Sequence, residues 1–312
     1  RRRVPEASVA PRRAPDMLPE LFRVSLPLVG ELTITSFGVL LAVAFLAGYQ
    51  TIRIRLRELG ESTDLAGDIL LAALVGGMLG AKIYYLLLTW DRTFADPAAA
   101  LFSRSGLVWY GGLIGGTLAV AWVIRWRGQS FLHIADVAAP GLALAHSIGR
   151  IGCFMVGDDY GRPTDSWVGV AFPEGYPPTT AGNLRRDFGA DVPASIPDSR
   201  VLEVHPTQLY ESALLFLIFL TLWKLRKQPR AAGWLFGVWM ILTSTERFLI
   251  EFLRAKDDRF MGPFTLAQSI SILVLLVGVS LVASRSRLRP EPTKTAADEA
   301  AGRQERPAES GA

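Results

Sequence analysis

The residues best suited to chemistry in this chain are arginines with acidic or imidazole neighbours at helical spacing. Arg247, Glu251 and Arg254 stand at i, i+4 and i+7, which places them in one stripe of a helix. Such a plus–minus–plus stripe orients its guanidiniums and keeps one positive charge. His146 and Arg150 are also four apart and share a face. Guanidinium groups bind phosphate oxygens bidentately, so arginines at one depth on two helices point to a phosphate. An imidazole one turn from Arg150 is poised to take a proton near neutral pH. Around these stand Tyr110 with Gly111 and Gly112, Asp158 between Gly157 and Gly161, and His205 and Glu211 in one short run. Gly149, Gly152, Gly157 and Gly161 mark a break where backbone freedom or close ligand approach is expected.

The elements that must position these groups are membrane helices. Half of the 312 residues are apolar, which excludes a disordered chain. One cysteine and three histidines exclude a disulfide scaffold and leave little for a metal centre. The apolar residues fall in seven blocks near 33–52, 68–90, 107–124, 131–153, 207–223, 232–253 and 264–283. Blocks of about 20 residues match the hydrocarbon thickness of a bilayer. Basic clusters follow the first, third, fifth and seventh blocks, at Arg53–Arg57, Arg125–Arg127, Lys224–Arg230 and Arg285–Arg289. The positive-inside rule puts these on the cytoplasmic side. The expectation is therefore an all-α polytopic membrane protein with seven transmembrane helices, N-out and C-in. A small periplasmic cap, 154–204, with a short strand at Trp167–Phe172, joins helices 4 and 5. The five arginines within residues 1–13 disagree with this orientation, and the loop pattern outvotes them. The N-terminal arm, 1–30, is given no fold. The seven-helix domain takes 31–284, and 285–312 reads as a disordered cytoplasmic tail. All the polar groups named above then fall at the outer ends of their helices, as an electropositive pocket suited to a phosphate-bearing lipid. The glycine faces at Gly76–Gly80 and Gly111–Gly116 are read as close helix packing.

Four segments, in order, carry a resemblance. Tyr110 to Gly115, Gly149 to Arg162, His205-Pro-Thr-Gln-Leu-Tyr-Glu211, and Arg247 to Arg254 resemble the prolipoprotein diacylglyceryl transferases, over about residues 30–284. The resemblance implies transfer of the diacylglyceryl group of phosphatidylglycerol to the lipobox cysteine of a prolipoprotein, in a bacterial inner membrane and near its outer leaflet. It implies Arg150 as the phosphatidylglycerol-binding arginine and Arg247 as the second essential one. Glu251 and Arg254 complete that motif, and Gly161 closes the other. Asp158 stands where the family often has Glu, to orient an arginine or accept a proton. The partners implied are phosphatidylglycerol, the prolipoprotein lipobox segment and membrane lipid. No cofactor, metal or nucleic acid is implied.

The sequence departs from the family where a histidine is usual, at Tyr110, and where an Asn is usual, at Cys153. The proton acceptor is therefore open among His146, Tyr110 and Asp158, with His146 favoured. A purely structural role would make His146 an interhelical hydrogen-bonding group and Cys153 a small packing residue. A second reading is a catalytically degenerate paralogue that binds anionic lipid or lipoprotein without transfer.

Overall fold

A computed structural model describes residues 20–26, 30–102, 108–255 and 259–286. In chain order the elements are β1 (Glu20–Leu26), β2 (Gly30–Thr35), α1 (Ser36–Glu58), α2 (Asp64–Leu88), the short α3 (Trp90–Ala95) and α4 (Pro97–Phe102), α5 (Trp109–Trp126) and α6 (Phe131–Val156). They continue with β3 (Val170–Ala171), α7 (Ala181–Arg186), β4 (Glu203–Val204), α8 (Thr207–Leu225), α9 (Trp234–Ile250), β5 (Arg259–Met261), β6 (Phe264–Thr265) and α10 (Leu266–Arg285). The chain is mostly helical, and a long helix occupies each of the seven apolar blocks. Five of these helices, α1, α2, α6, α8 and α10, are long and apolar enough to cross a membrane. The other two fall short of that. α5 carries four glycines and Arg125 among its 18 residues, and α9 has only 17.

Among the described residues, three two-stranded antiparallel sheets qualify the all-α expectation. β1 and β2 form a hairpin within and just beyond the 1–30 arm, for which the sequence offers no fold. Its alternation of apolar and polar residues, from Phe22 to Ser25, suits strand pairing better than a tail. In the cap, only Val170–Ala171 of the expected Trp167–Phe172 strand is extended, paired with Glu203–Val204. The first 19 residues and the tail from 287 lie outside the described residues.

The long helices pack pairwise: α1 on α6, α2 on α5, α8 on α6 and α9, and α9 on α10. α2 and α5 meet through glycine. A Cβ on Gly80 would lie 2.3 Å from the Gly111 carbonyl oxygen, and one on Gly111 would lie 2.4 Å from that of Gly80. Only hydrogen fits between backbones that close. At one end of the bundle, Glu58 of α1 reaches Arg226 at 2.6 Å, Asp68 of α2 pairs with Arg127, and Glu61 meets His133 at 2.7 Å. Asp136 of α6 accepts hydrogen bonds from Gly233 N and Phe236 N, at 2.8 and 2.7 Å, and so caps the start of α9. The basic clusters after α1, α5 and α8 therefore share this end.

The opposite end carries the cap. Tyr160, Phe172, Leu184 and Val204 are its sealed core, joined by Ala255 from beyond α9. Thr179 Oγ1 donates to Leu202 O at 2.9 Å and accepts from Phe172 N at 3.0 Å, which ties the two halves of this long connection together.

Candidate functional site

Three chain segments converge where the cap meets the bundle: the end of α6, the start of α8 and the turn after α9. α6 stops at Gly157, which has φ 66° and ψ 44°. That left-handed residue lets its own N–H and the Asp158 N–H return to the last α6 carbonyls. Asp159 is also left-handed, at φ 55°, a conformation that Asp tolerates better than most residues. The strap from 158 to 162 is then clamped on both sides. Gln208 Nε2 donates to Asp158 O at 2.5 Å, and Thr207 Oγ1 to Asp159 O at 2.9 Å. Gly161 N donates to His205 O, and Arg162 N to Leu253 O, both at 2.8 Å. A Cβ on Gly161 would lie 2.6 Å from Leu253 O and 2.8 Å from both His205 Cβ and Thr207 Cγ2. No side chain fits there.

The clamped strap carries one carboxylate into the arginines. Asp159 Oδ2 lies 2.9 Å from Arg150 Nη1, and Oδ1 lies 2.6 Å from Arg254 Nη2. Arg150 Nη2 is 2.8 Å from Glu211 Oε2 on α8. Glu251 Oε2 is 2.6 Å from Arg247 Nη1 and 3.8 Å from Arg254 Nε. The charges therefore alternate along one chain: Glu211, Arg150, Asp159, Arg254, Glu251, Arg247. Beside it, Ser147 and Ser212 exchange hydrogen bonds to each other's carbonyls at 2.8 and 3.0 Å and hold α6 to α8.

Arg150, Arg247, Glu251, Arg254 and Glu211, all singled out from the sequence, come together here. The expected electropositive pocket does not form in this state, because three carboxylates match three arginines. Asp159 was missed. Two adjacent acids follow α6, and the C-cap geometry sends the second of them to the arginines. Asp158 instead turns toward Cys153. Burial, with the neighbouring Asp159 charge, pushes its carboxyl up to about 6. Burial would also raise Asp159, but Arg254 and Arg150 outweigh it and hold that carboxyl well below the usual range. The Cys153 thiol and the two aspartates have ligand atoms within 4.8 Å of one another. Two guanidiniums on Asp159 make this a poor place for a cation.

The proton-acceptor candidates separate. His146 is exposed, within electrostatic reach of Arg150 and Arg247, and no hydrogen bond holds its ring among the described residues. The interhelical hydrogen bond weighed for it is therefore not formed. Tyr110 is not part of the network. Its ring lies edge-on to Trp109 at 5.1 Å, on a helix whose main partner is α2. Gly111 and Gly112 serve that α2 contact. His205 positions the strap through its backbone, and its Nδ1 lies 3.3 Å from the Tyr210 hydroxyl. Glu246, on α9, is buried near Glu211, Arg150 and Arg247, and its Oε1 has no hydrogen-bond partner among the described residues. Among the described residues, a Cβ on Gly149 would meet nothing within 4 Å, so open space adjoins the helix turn that carries Arg150.

Comparison with known proteins gives one consistent answer. The family model described as prolipoprotein diacylglyceryl transferase matches residues 23–284. The phosphatidylglycerol--prolipoprotein diacylglyceryl transferase of Clostridium tetani is 28% identical, over 80% of this chain and 92% of its own. An enzyme of that name from Clostridium perfringens, numbered 2, is 30% identical over 83% and 94%. The one from Trichormus variabilis is 31% identical over 85% and 90%.

Proposed function

The chain belongs to the prolipoprotein diacylglyceryl transferase family, and from that premise we propose that it transfers the diacylglyceryl group of phosphatidylglycerol to a prolipoprotein lipobox cysteine. The observation that carries this reading is the convergence of Arg150, Arg247 and Arg254 at one end of the bundle, beside open space at Gly149. Three guanidiniums there suit the phosphodiester of the donor and the charge that develops as it leaves.

His146 takes the proton of the lipobox thiol. The thiolate sulfur forms a bond to the terminal glyceryl carbon of the diacylglycerol unit. The bond from that carbon to the phosphate oxygen breaks, and its electron pair leaves with glycerol-1-phosphate. The thiol's pair becomes the new thioether bond. Arg150, Arg254 and Arg247 bind the phosphate before and during the step. Glu211 and Glu251 hold Arg150 and Arg247 in place. His146 suits the base role because its ring is exposed one helical turn from Arg150, and an imidazole is the side chain best able to take a proton near neutral pH.

The wider reading is an inner-membrane, multi-pass protein with seven spans in residues 31–284, N-out and C-in. The 154–204 cap then lies on the periplasmic side with the site at the outer leaflet. The shared end of the basic clusters supports it, since positive loops are retained in the cytoplasm.

The test is release of glycerol phosphate by purified protein mixed with phosphatidylglycerol and a lipobox peptide. Release by the wild type, abolished in Arg150→Ala and strongly reduced in His146→Ala, is expected. Full transfer by Arg150→Ala would sink the phosphate reading. Full transfer by His146→Ala would remove His146 as the base.

A further inference from the structure

The three carboxylates that neutralise the site are not equivalent. The side chains of Glu211 and Glu251 are 0% and 3% exposed, whereas that of Asp159 is 42% exposed. Asp159 also divides its two oxygens between two guanidiniums on different segments, Arg150 from α6 and Arg254 from beyond α9. One anionic group offering two oxygens to two guanidiniums is the contact set that the non-bridging oxygens of a phosphodiester would make. Among the described residues, the carboxylate is held by these ion pairs alone. Its backbone is fixed separately, through Asp158 O on Gln208, Asp159 O on Thr207 and Gly161 N on His205. Rotation about its side-chain bonds therefore frees both arginines without moving the strap.

We propose that Asp159 is a resident stand-in for the phosphate of the donor. It occupies Arg150 and Arg254 between turnovers, yields them to an incoming phosphodiester, and returns to displace the phosphate product. The proposal rests on the reading that these arginines hold the donor phosphate.

Two physical needs meet in such a residue. Glu211 and Glu251 alone would leave one positive charge of the three guanidiniums unmatched in a region partly shielded from water, which is costly, so the empty site requires a third anion. A sealed anion could not be exchanged for a ligand, and Asp159 is the open one. The product raises the second need. The donor phosphodiester carries one negative charge, and the departing phosphate monoester carries up to two. The product is thus attracted more strongly to the same arginines than the donor was. A tethered carboxylate competing for them opposes that trapping. Arg254 and Arg150 keep the carboxyl of Asp159 ionised far below neutral pH, so the competitor is present under all working conditions.

The experiment uses the full chain and Asp159→Asn, since Asn keeps the shape and adopts the left-handed backbone as readily. Asp159→Gly is the second variant, because φ 55° suits glycine and removes any doubt from a misplaced amide. The readouts are KM for phosphatidylglycerol in mixed micelles, kcat, and inhibition by added glycerol-1-phosphate. For both variants, KM and the inhibition constant should each fall about tenfold, the size of one charge-assisted hydrogen bond no longer contested. kcat should fall with them as product release slows. A residue that merely positioned Arg150 and Arg254 would give the reverse, a higher KM and weaker inhibition restored by Asp159→Glu. That reversal, or no change in either constant, overturns the stand-in. If the wild type transfers, is inhibited by glycerol-1-phosphate and loses both in Arg150→Ala, such a result removes the stand-in alone. If the wild type shows neither transfer nor inhibition, the phosphate reading fails and takes the stand-in with it.

Discussion

Glu211 is sealed and lies 2.8 Å from Arg150, so the two charges depend on each other. Arg150→Ala leaves a buried carboxylate without its cation, which costs about 3–5 kcal/mol in comparable pairs. Adding Glu211→Gln to that variant removes the uncompensated charge. Thermal unfolding in detergent should show a clear loss for the single variant and most of it recovered in the double, while transfer stays absent in both. Equal melting of the two variants would mean that Glu211 is held by something other than Arg150. Asp158 gives a prediction in pH. Its carboxyl titrates near 6, above the usual 3.8. A raised pKa means that the folded state binds the proton more tightly than the unfolded chain does. The stability this contributes is full below about pH 4 and is lost as pH rises through 6. Asp158→Asn removes that loss, so it should match the wild type at pH 4 and melt above it at pH 8. A constant gap across that range would contradict the assignment. The sequence made the arginines and Glu211 legible, because a charge at helical spacing in an apolar block is conspicuous. It did not distinguish Asp158 from Asp159, since which acid meets the arginines depends on two left-handed residues after α6.

At the scale of elements, the site depends on how tightly the strap from 158 to 162 lies between the start of α8 and the turn after α9. Gly161 is the point of closest approach, with backbone on one side and two side chains on the other. Gly161→Ala must push the strap off one of them and carry Asp159 away from Arg254. Destabilisation of about 1–3 kcal/mol is expected, read as a lower melting temperature in detergent. Gly149→Ala is the contrasting case. Its Cβ meets nothing, and Ala is favoured over Gly within a helix by about 0.8–1 kcal/mol. The protein should therefore melt no lower. If the open space beside Arg150 receives the donor, KM for phosphatidylglycerol should nevertheless rise. An unchanged KM would place the donor elsewhere. The long helices were legible as apolar blocks, with ends displaced by a few residues: α2 begins at Asp64 rather than 68, and α6 runs on to Val156. The cap strands were not, because Val170–Ala171 pairs with the distant Glu203–Val204, and the alternation of the β1–β2 hairpin is too short to stand out beside the basic arm.

For the whole molecule, the site and the basic clusters lie at opposite ends of the same helices. α6 begins beside His133 and Asp136, which meet Glu61 and the start of α9, and it ends at Arg150 and the cap. The α1–α2 loop must then face the compartment opposite the cap. If the arginine-rich loops are cytoplasmic, the cap and the arginine network face the periplasm, where a lipobox cysteine emerges and outer-leaflet phosphatidylglycerol is within reach. The five arginines of the N-terminal arm argue the other way and are outweighed by clusters spread over several loops. A direct probe tests that orientation. Trp167, 78% exposed on the cap, and Ser62, exposed in the α1–α2 loop, are suited to replacement by cysteine. Cys153→Ala removes the native thiol from the background. With an impermeant maleimide on intact spheroplasts, Trp167→Cys should label at once and Ser62→Cys only after lysis. The reverse pattern would put the three arginines at the inner leaflet and the cap in the cytoplasm. That geometry would deny the network its translocated acceptor, and the transferase reading would then require another entry for the thiol. The predicted pattern instead lets one arrangement of charges account for both membrane orientation and phosphate binding. The loops that hold the protein in register carry positive charge in excess of their acids, and the site's guanidiniums are matched by acids until a donor arrives.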